Sequence, residues 1–106
     1  KEVALLLRKL ETLHKVLSVI IVSGVTEVTV IKILDDATYT DSTGKTLPFV
    51  ETTIRIDVNG SYATVVQMLE KIANIKPYVV VKNVGVKNIK DDTVETSLVC
   101  ARLVAE

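Results

Sequence analysis

The sequence predicts a single α+β domain, residues 1–106, in which two helices cover one face of a four-stranded antiparallel sheet. Two segments carry apolar residues at the three-and-four spacing of amphipathic helices, and the segments between them are rich in strand-favouring β-branched residues. One predicted strand alternates strictly between apolar and polar residues, which is typical of a sheet covered on one face. With 48% hydrophobic but only 4% aromatic residues, the core must consist of Val, Ile and Leu.

The first predicted helix covers Glu2 to Leu17. Its apolar stripe consists of Val3, Leu6, Leu10, Leu13 and Leu17. Leu5 and Leu7 widen this apolar face beyond one stripe. They predict either contact with a partner or a broader contact with the domain's own sheet.

Two strands follow the first helix. Val25 to Leu34 is rich in β-branched residues and predicts a strand, whose extension through Tyr39 is left open. Asp41 to Gly44 predicts a tight turn, because Asp favours its first position and Gly its last. Val50 to Val58 then alternates between an apolar and a polar face, so this strand lies in a sheet with one buried side.

A cap and a second helix follow the alternating strand. Gly60 can adopt backbone angles that close a strand, and the Ser61 side chain can accept a hydrogen bond from the first helical turn. The predicted buried stripe of this helix is Tyr62, Val65, Val66, Leu69, Ile72 and Ala73. Pro77 prevents the helix from continuing.

The last two strands are predicted over Tyr78 to Ile89 and Val94 to Ala105, joined by a turn at Asp91–Thr93. The alternation of the first of these strands slips between Lys82 and Gly85, which predicts a bulge. Its lysines are typical of an edge strand.

The resulting order is helix, strand, strand in each half of the chain, or αββαββ. This is a ferredoxin-like two-layer sandwich that is circularly permuted, with the usual first strand moved to the end. Right-handed crossovers place the strands starting at Val50 and Val94 in the centre. The strands starting at Val25 and Tyr78 then form the two edges.

The composition argues against several classes of function. Thirteen basic and thirteen acidic residues cancel, so no strong field attracts nucleic acid or anionic lipid. The lone Cys100 lies in an apolar run and is interpreted as a small buried hydrophobic residue. His14 has no Cys, His or carboxylate at ligand spacing, and no group of nucleophilic or titratable residues assembles. We therefore expect no catalytic residues, cofactor or metal site.

The segment around the second helix resembles a known family. A Gly60-Ser61-Tyr62 turn that opens a helix of the form Tyr-x-x-Val-Val-x-x-Leu-Glu-x-Ile is similar to the PilO family, inner-membrane alignment proteins of type IV pilus assembly. The resemblance runs clearly from Thr52 to Val84 and more loosely over the whole chain. Related secretion proteins such as GspM and PilN use similar strand–turn–helix units.

The resemblance implies a structural component without catalytic residues. It further implies a homodimer or a heterodimer with a PilN-like partner, contact with other pilus assembly proteins, and a place on the periplasmic side of the inner membrane. An upstream membrane helix and coiled coil are expected to provide the anchor, so this fragment itself would not contact the membrane. The alternative is a soluble regulatory domain of ferredoxin-like fold that binds a small ligand.

The predicted contact surfaces come from the apolar patterning of the first helix and the last two strands. If Val99, Ala101 and Leu103 face the helices, then the residues between them lie on the open sheet face. The alternative is a central strand that is apolar on both faces. The full predicted interface set is Leu5, Leu7, Val79, Val81, Leu98, Cys100 and Val104.

Overall fold

The computed structural model describes residues 2–75 and 79–105, which form two helices and five strands. The helices are α1 (Glu2–Val22) and α2 (Tyr62–Ala73), and the strands are β1 (Glu27–Ile33), β2 (Ala37–Thr40), β3 (Thr46–Ser61), β4 (Val80–Lys90) and β5 (Thr93–Ala105). Thus α1 continues five residues beyond its predicted end, and the α+β class is confirmed. The predicted helix stop at Pro77 and strand start at Tyr78 lie outside the described residues.

The strands form one antiparallel sheet in the order β1-β3-β5-β4, with β2 also pairing with β3. The predicted central and edge positions are therefore confirmed. The prediction of four strands is wrong, because β2 pairs with β3 beyond the end of β1 and continues the same edge. The edge is interrupted at 34–36, and Asp36 in this break forms an ion pair with Lys9 of α1.

The pairing of β3 with β5 is the longest in the sheet. It pairs without interruption from Phe49 opposite Ala105 to Ser61 opposite Thr93. Residues directly opposite each other in an antiparallel pair share a face, so this register assigns every residue of both strands to a side. The long ladder accounts for the elongated shape, whose longest dimension is 52 Å.

The core lies between both helices and one face of this ladder, which confirms that the helices share a face. The buried residues of β3 and β5 alternate along each strand and pair with one another, as Ile54 with Cys100 and Ile56 with Leu98 do. The helices contribute Val16 and Ile20 from α1 and Val65, Met68 and Ile72 from α2.

The start of α2 is capped as predicted, but for partly different reasons. Ser61 has extended backbone angles, and its Oγ accepts a hydrogen bond of 3.2 Å from the backbone N–H of Thr64. Gly60 does not adopt a special conformation: it lies within β3 opposite Val94, with ordinary space beside Val25. Tyr62 is exposed rather than buried, because it occupies the first helical position outside the core-facing stripe.

The predicted turns and the bulge are confirmed. The N–H of Gly44 donates to the carbonyl of Asp41 at 3.0 Å, and Gly44 takes a φ of +85° that favours glycine. Asp91 closes the β4–β5 hairpin at a positive φ of 51°. The β4–β5 register shifts between Val81 and Asn83, so the edge strand carries its bulge near the predicted place.

Candidate interaction surfaces

The open face of the sheet is polar at one end and partly apolar at the other. Along β3, the Arg55 guanidinium donates two hydrogen bonds to the Asp57 carboxylate, of 3.1 and 2.9 Å. These hydrogen bonds lower the pKa of Asp57, a side chain that is almost fully buried. Toward the other end, Leu103 of β5 and Val80 of β4 are exposed.

Glu51 connects three strands within this apolar end. Its carboxylate accepts hydrogen bonds of 3.0 Å from the Lys82 ammonium of β4 and from the Tyr39 hydroxyl of β2. The hydrogen bond from Lys82 is the main cause of a lowered Glu51 pKa. The Tyr39 ring also lies 6.2 Å from the Phe49 ring, centroid to centroid. These contacts connect β2, β3 and β4 on the open face and satisfy the Glu51 carboxylate with two donors.

The predicted face assignment of β5 is wrong. Leu98 and Cys100 face the helices and are fully buried, whereas Val99, Ala101 and Leu103 lie on the open face. The alternative prediction, a central strand that is apolar on both faces, is confirmed. Arg102 shares the helix side with Leu98 and Cys100 because α1 supplies its partners, as described below.

The remaining predicted interface residues of the sheet are only partly available. Val79 is buried and belongs to the core cluster, so the prediction of an exposed surface there is wrong. Val81 is half-buried and packs against the same core, and Val104 is half-buried opposite Val50. A partner on this side of the domain would therefore contact only the partly exposed side chains of Val81 and Val104.

α1 differs in burial between its two halves. From Thr12 onward, every fourth residue is buried in the core, namely Thr12, Val16 and Ile20. Over residues 3–10, none is buried, and Leu7 is 60% exposed. Leu5 is half-buried, which fits the broader contact with the domain.

Ion pairs attach α1 to the sheet where the two halves meet. The Lys9 ammonium lies 2.8 Å from the Asp36 carboxylate, beyond the end of β1. On β5, the Arg102 guanidinium donates to the Glu11 carboxylate at 2.9 Å and to the Thr12 hydroxyl at 3.1 Å. The Arg102 hydrogen bond is the largest cause of a lowered Glu11 pKa. These contacts hold α1 against the sheet at residues 9–12, one turn before Val16, which is fully buried in the core.

Beside its core-facing residues, α1 carries a second row of mostly apolar side chains, which we call the α1 outer stripe. It consists of Val3, Leu7, Leu10, His14, Leu17 and Ile21. Leu17 is half-buried and packs against the core, whereas the other five side chains are exposed. The sequence pattern assigns Val3, Leu10 and Leu17 to the main predicted stripe and, of this row, only Leu7 to the predicted interface. The structure leaves Val3 and Leu10 exposed.

Within residues 2–75 and 79–105, no three His, Cys, Asp or Glu side chains are close enough to hold a metal ion. Burial raises the pKa of the Cys100 thiol to about 12, so the nucleophilic thiolate is disfavoured. Among the described helices, none combines the length and apolar character needed to cross a membrane.

Comparison with known proteins adds evidence from structure alone. No protein-family model matches the chain, and no curated protein matches its sequence significantly. Among solved structures, the type 4 fimbrial biogenesis protein PilO from Pseudomonas aeruginosa superposes with a TM-score of 0.77 at 17% identity, over 90% of this chain and 68% of that one. This chain has the PilO fold.

Two further structures extend this result. The core region of PilO from the type IV pilus system of P. aeruginosa matches with a TM-score of 0.63 at 16% identity, covering 76% of this chain and 78% of the PilO core. A protein from Akkermansia muciniphila, solved without its transmembrane region, gives a TM-score of 0.67 at 11% identity over 92% of this chain. The chain spans about half, 54%, of that Akkermansia structure. The PilO fold anticipated from the Gly60-Ser61-Tyr62 segment is thus confirmed.

Proposed function

We propose that the chain is a non-enzymatic structural module of a type IV pilus or related secretion system. In this proposal it lies on the periplasmic side of the inner membrane, held by an anchor elsewhere in the protein. It pairs with a second copy or with a PilN-like partner. We further propose that the domain is a circularly permuted ferredoxin-like sandwich, with β3 and β5 central and β2 added along the β1 edge.

The observation that carries this proposal is the similarity to two PilO structures over most of the chain. The surface of the domain supports the same reading. Large apolar side chains such as Leu7 and Leu10 are exposed on α1, and others lie on the open sheet face, such as Val80 and Leu103. Such patches are typical of proteins that bind other proteins.

The test is fractionation of the native full-length protein followed by affinity purification. We expect it to resist salt and carbonate extraction from membranes and to co-purify with a PilN-like protein. Deletion of its gene should abolish surface pili or the equivalent secretion, and complementation should restore them. Release into the soluble fraction, together with unaltered pili and secretion in the deletion strain, would contradict the proposal.

A further inference from the structure

β4 forms one edge of the sheet, and its outer side is open to a further strand. It is last in the order β1-β3-β5-β4, and β5 is the only strand that pairs with it within residues 2–75 and 79–105. Its register shifts between Val81 and Asn83 and again between Asn88 and Lys90, and is regular from Asn83 to Asn88. Alternate residues of this regular segment therefore direct their backbone N–H and C=O groups away from β5, where an added strand can pair with them.

On the helix side of the sheet, the margin of β4 is apolar and uncovered. Val84 and Val86 lie there, opposite Leu98 and Thr96 of β5. Leu98 and Thr96 are fully buried, whereas Val84 is 39% exposed and Val86 is 49% exposed. α2 packs beside β4 but leaves these two valines partly in solvent. Apolar side chains of an added strand would bury them and extend the core outward.

On the open side of the sheet, the same strand is positively charged. β4 contains Lys82, Lys87 and Lys90 and no acidic residue. The Lys82 ammonium is paired with the Glu51 carboxylate, but Lys87 and Lys90 form no ion pair among the described residues. The register places Lys87 on the open face, because it lies opposite Glu95, which in turn lies opposite Asn59 of β3. The outer edge therefore offers positive charges that the domain itself does not neutralise.

These charges decide which kind of strand fits. A second copy added antiparallel to β4 would gather the lysines of both copies on one face of the ladder, which is unfavourable. Carboxylates on the added strand would instead meet opposite charge. The nearby acidic residues do not fill this role: Glu95 belongs to β5, and Asp91 and Asp92 follow β4 in the hairpin. The charge pattern thus favours an acidic segment from another protein over a second copy.

We propose that the outer edge of β4 binds an extended segment of another protein in which apolar and acidic residues alternate. Successive side chains of a strand point to opposite faces, so one set lies beside Val84 and Val86 and the other brings carboxylates to Lys87 and Lys90. Main-chain hydrogen bonds along the edge supply affinity, and the alternation supplies specificity. This inference goes beyond the proposed function, because it concerns one edge of the fold and holds for whichever assembly contains the domain.

Fluorescence anisotropy with a labelled synthetic peptide tests the edge and its charge. The probe is a peptide of about eight residues, the length of an ordinary strand, in which Val and Glu alternate. We expect saturable binding that weakens with salt, and Lys87→Glu should weaken it by about fivefold or more because attraction becomes repulsion. Lys32→Glu is the matched control, since Lys32 is an exposed lysine of β1 at the opposite edge.

Circular dichroism establishes that both lysine variants fold. The Lys32→Glu variant should bind the peptide as tightly as the unmodified chain does. A peptide in which Val and Lys alternate should bind at least about tenfold more weakly than the acidic peptide. The proposal is overturned if the unmodified chain does not bind the acidic peptide, or if both lysine variants lose the same affinity.

Backbone N-methylation of the same peptide tests for strand addition. An added strand turns the N–H groups of every second residue toward β4 and the others toward solvent. Methylation of either the valines or the glutamates should therefore abolish binding, and methylation of the other set should leave it nearly unchanged. Equal effects of the two methylations would show that side chains alone hold the peptide, which overturns the proposal. Amide protection of β4 that rises with protein concentration in the absence of peptide would make a second copy the occupant and would also overturn it.

Discussion

The two helices use their apolar residues differently. α2 is short, capped by Ser61, and places its large buried side chains, Val65, Met68 and Ile72, on one face against the sheet. α1 is 21 residues long and apolar on two sides, one packed in the core and one exposed. Packing against the sheet explains why the buried residues of α2 are apolar. Burial in the core does not explain the exposed apolar residues of α1, and we assign them to contact with another protein chain.

Truncation of core and outer residues should give the largest contrast. We expect Met68→Ala in α2 and Ile20→Ala in α1 each to lower the free energy of unfolding by about 2–5 kcal/mol, because both side chains are fully buried. Leu7→Ala should change it by no more than about 0.5 kcal/mol in dilute solution. Urea denaturation at low protein concentration measures all three. A loss above 2 kcal/mol for Leu7→Ala would place this residue in the fold rather than in a partner contact.

Removal of the α2 cap should have an intermediate effect. Ser61→Ala deletes the acceptor for the Thr64 N–H and should cost about 1 kcal/mol, within a range of about 0.5–2 kcal/mol. Ser61→Asp retains an acceptor and serves as the control. Equal losses in both variants would show that the hydroxyl contributes through packing and not through capping.

The β5 faces show where sequence reasoning reaches its limit. Alternation correctly predicted which residues share a face, but both sets of side chains on β5 are apolar, so the pattern contained no sign of which face the helices cover. The helix-facing set even includes a charged residue, Arg102. Its partner, Glu11, lies 91 positions away in the sequence, so only the folded structure shows that the charge is compensated beneath α1.

Elements with strong local signals were predicted more accurately. The Ser61 cap, the Asp41–Gly44 turn and the central position of β3 all depend on contacts that neighbouring residues or simple topology determine. The separation of β2 from β1 was missed; the break lies at 34–36, where Asp36 forms an ion pair with Lys9 of α1. The outer stripe was missed because two overlapping apolar rows on one helix resemble a single broad face.

Loss of the Arg102 contacts should affect α1 locally. Arg102→Leu removes the hydrogen bonds to Glu11 and Thr12, so the first turns of α1 should open more often and exchange amide hydrogens faster. Amides of α2 should exchange at their original rate. Equal acceleration in both helices would mean that Arg102 stabilises the whole domain and not the attachment of α1.

Acid titration of the ion pair between Asp57 and Arg55 should give the smallest effect. This pair lies on the open face of the sheet, away from both helices, and so serves as a reference. Because Arg55 lowers the pKa of Asp57 in the folded state, the unfolded state takes up its proton first as the pH falls. The stabilisation is complete above the unfolded pKa of about 3.9 and is lost as the pH falls through the folded pKa. The stability difference between the unmodified chain and Asp57→Asn should therefore shrink below about pH 4. A difference that stays constant from neutral to acidic pH would contradict this assignment.

Amide hydrogen exchange of the two helices at low and high protein concentration tests the division of roles most directly. If the outer stripe pairs with a second copy, protection over residues 3–10 of α1 should increase with concentration, while protection of α2 stays constant. The Leu7→Glu variant should lose this dependence and Leu103→Glu should retain it. Protection of residues 3–10 that is the same at every concentration would contradict the account, because the exposed side of α1 would then not pair with a second copy of the chain.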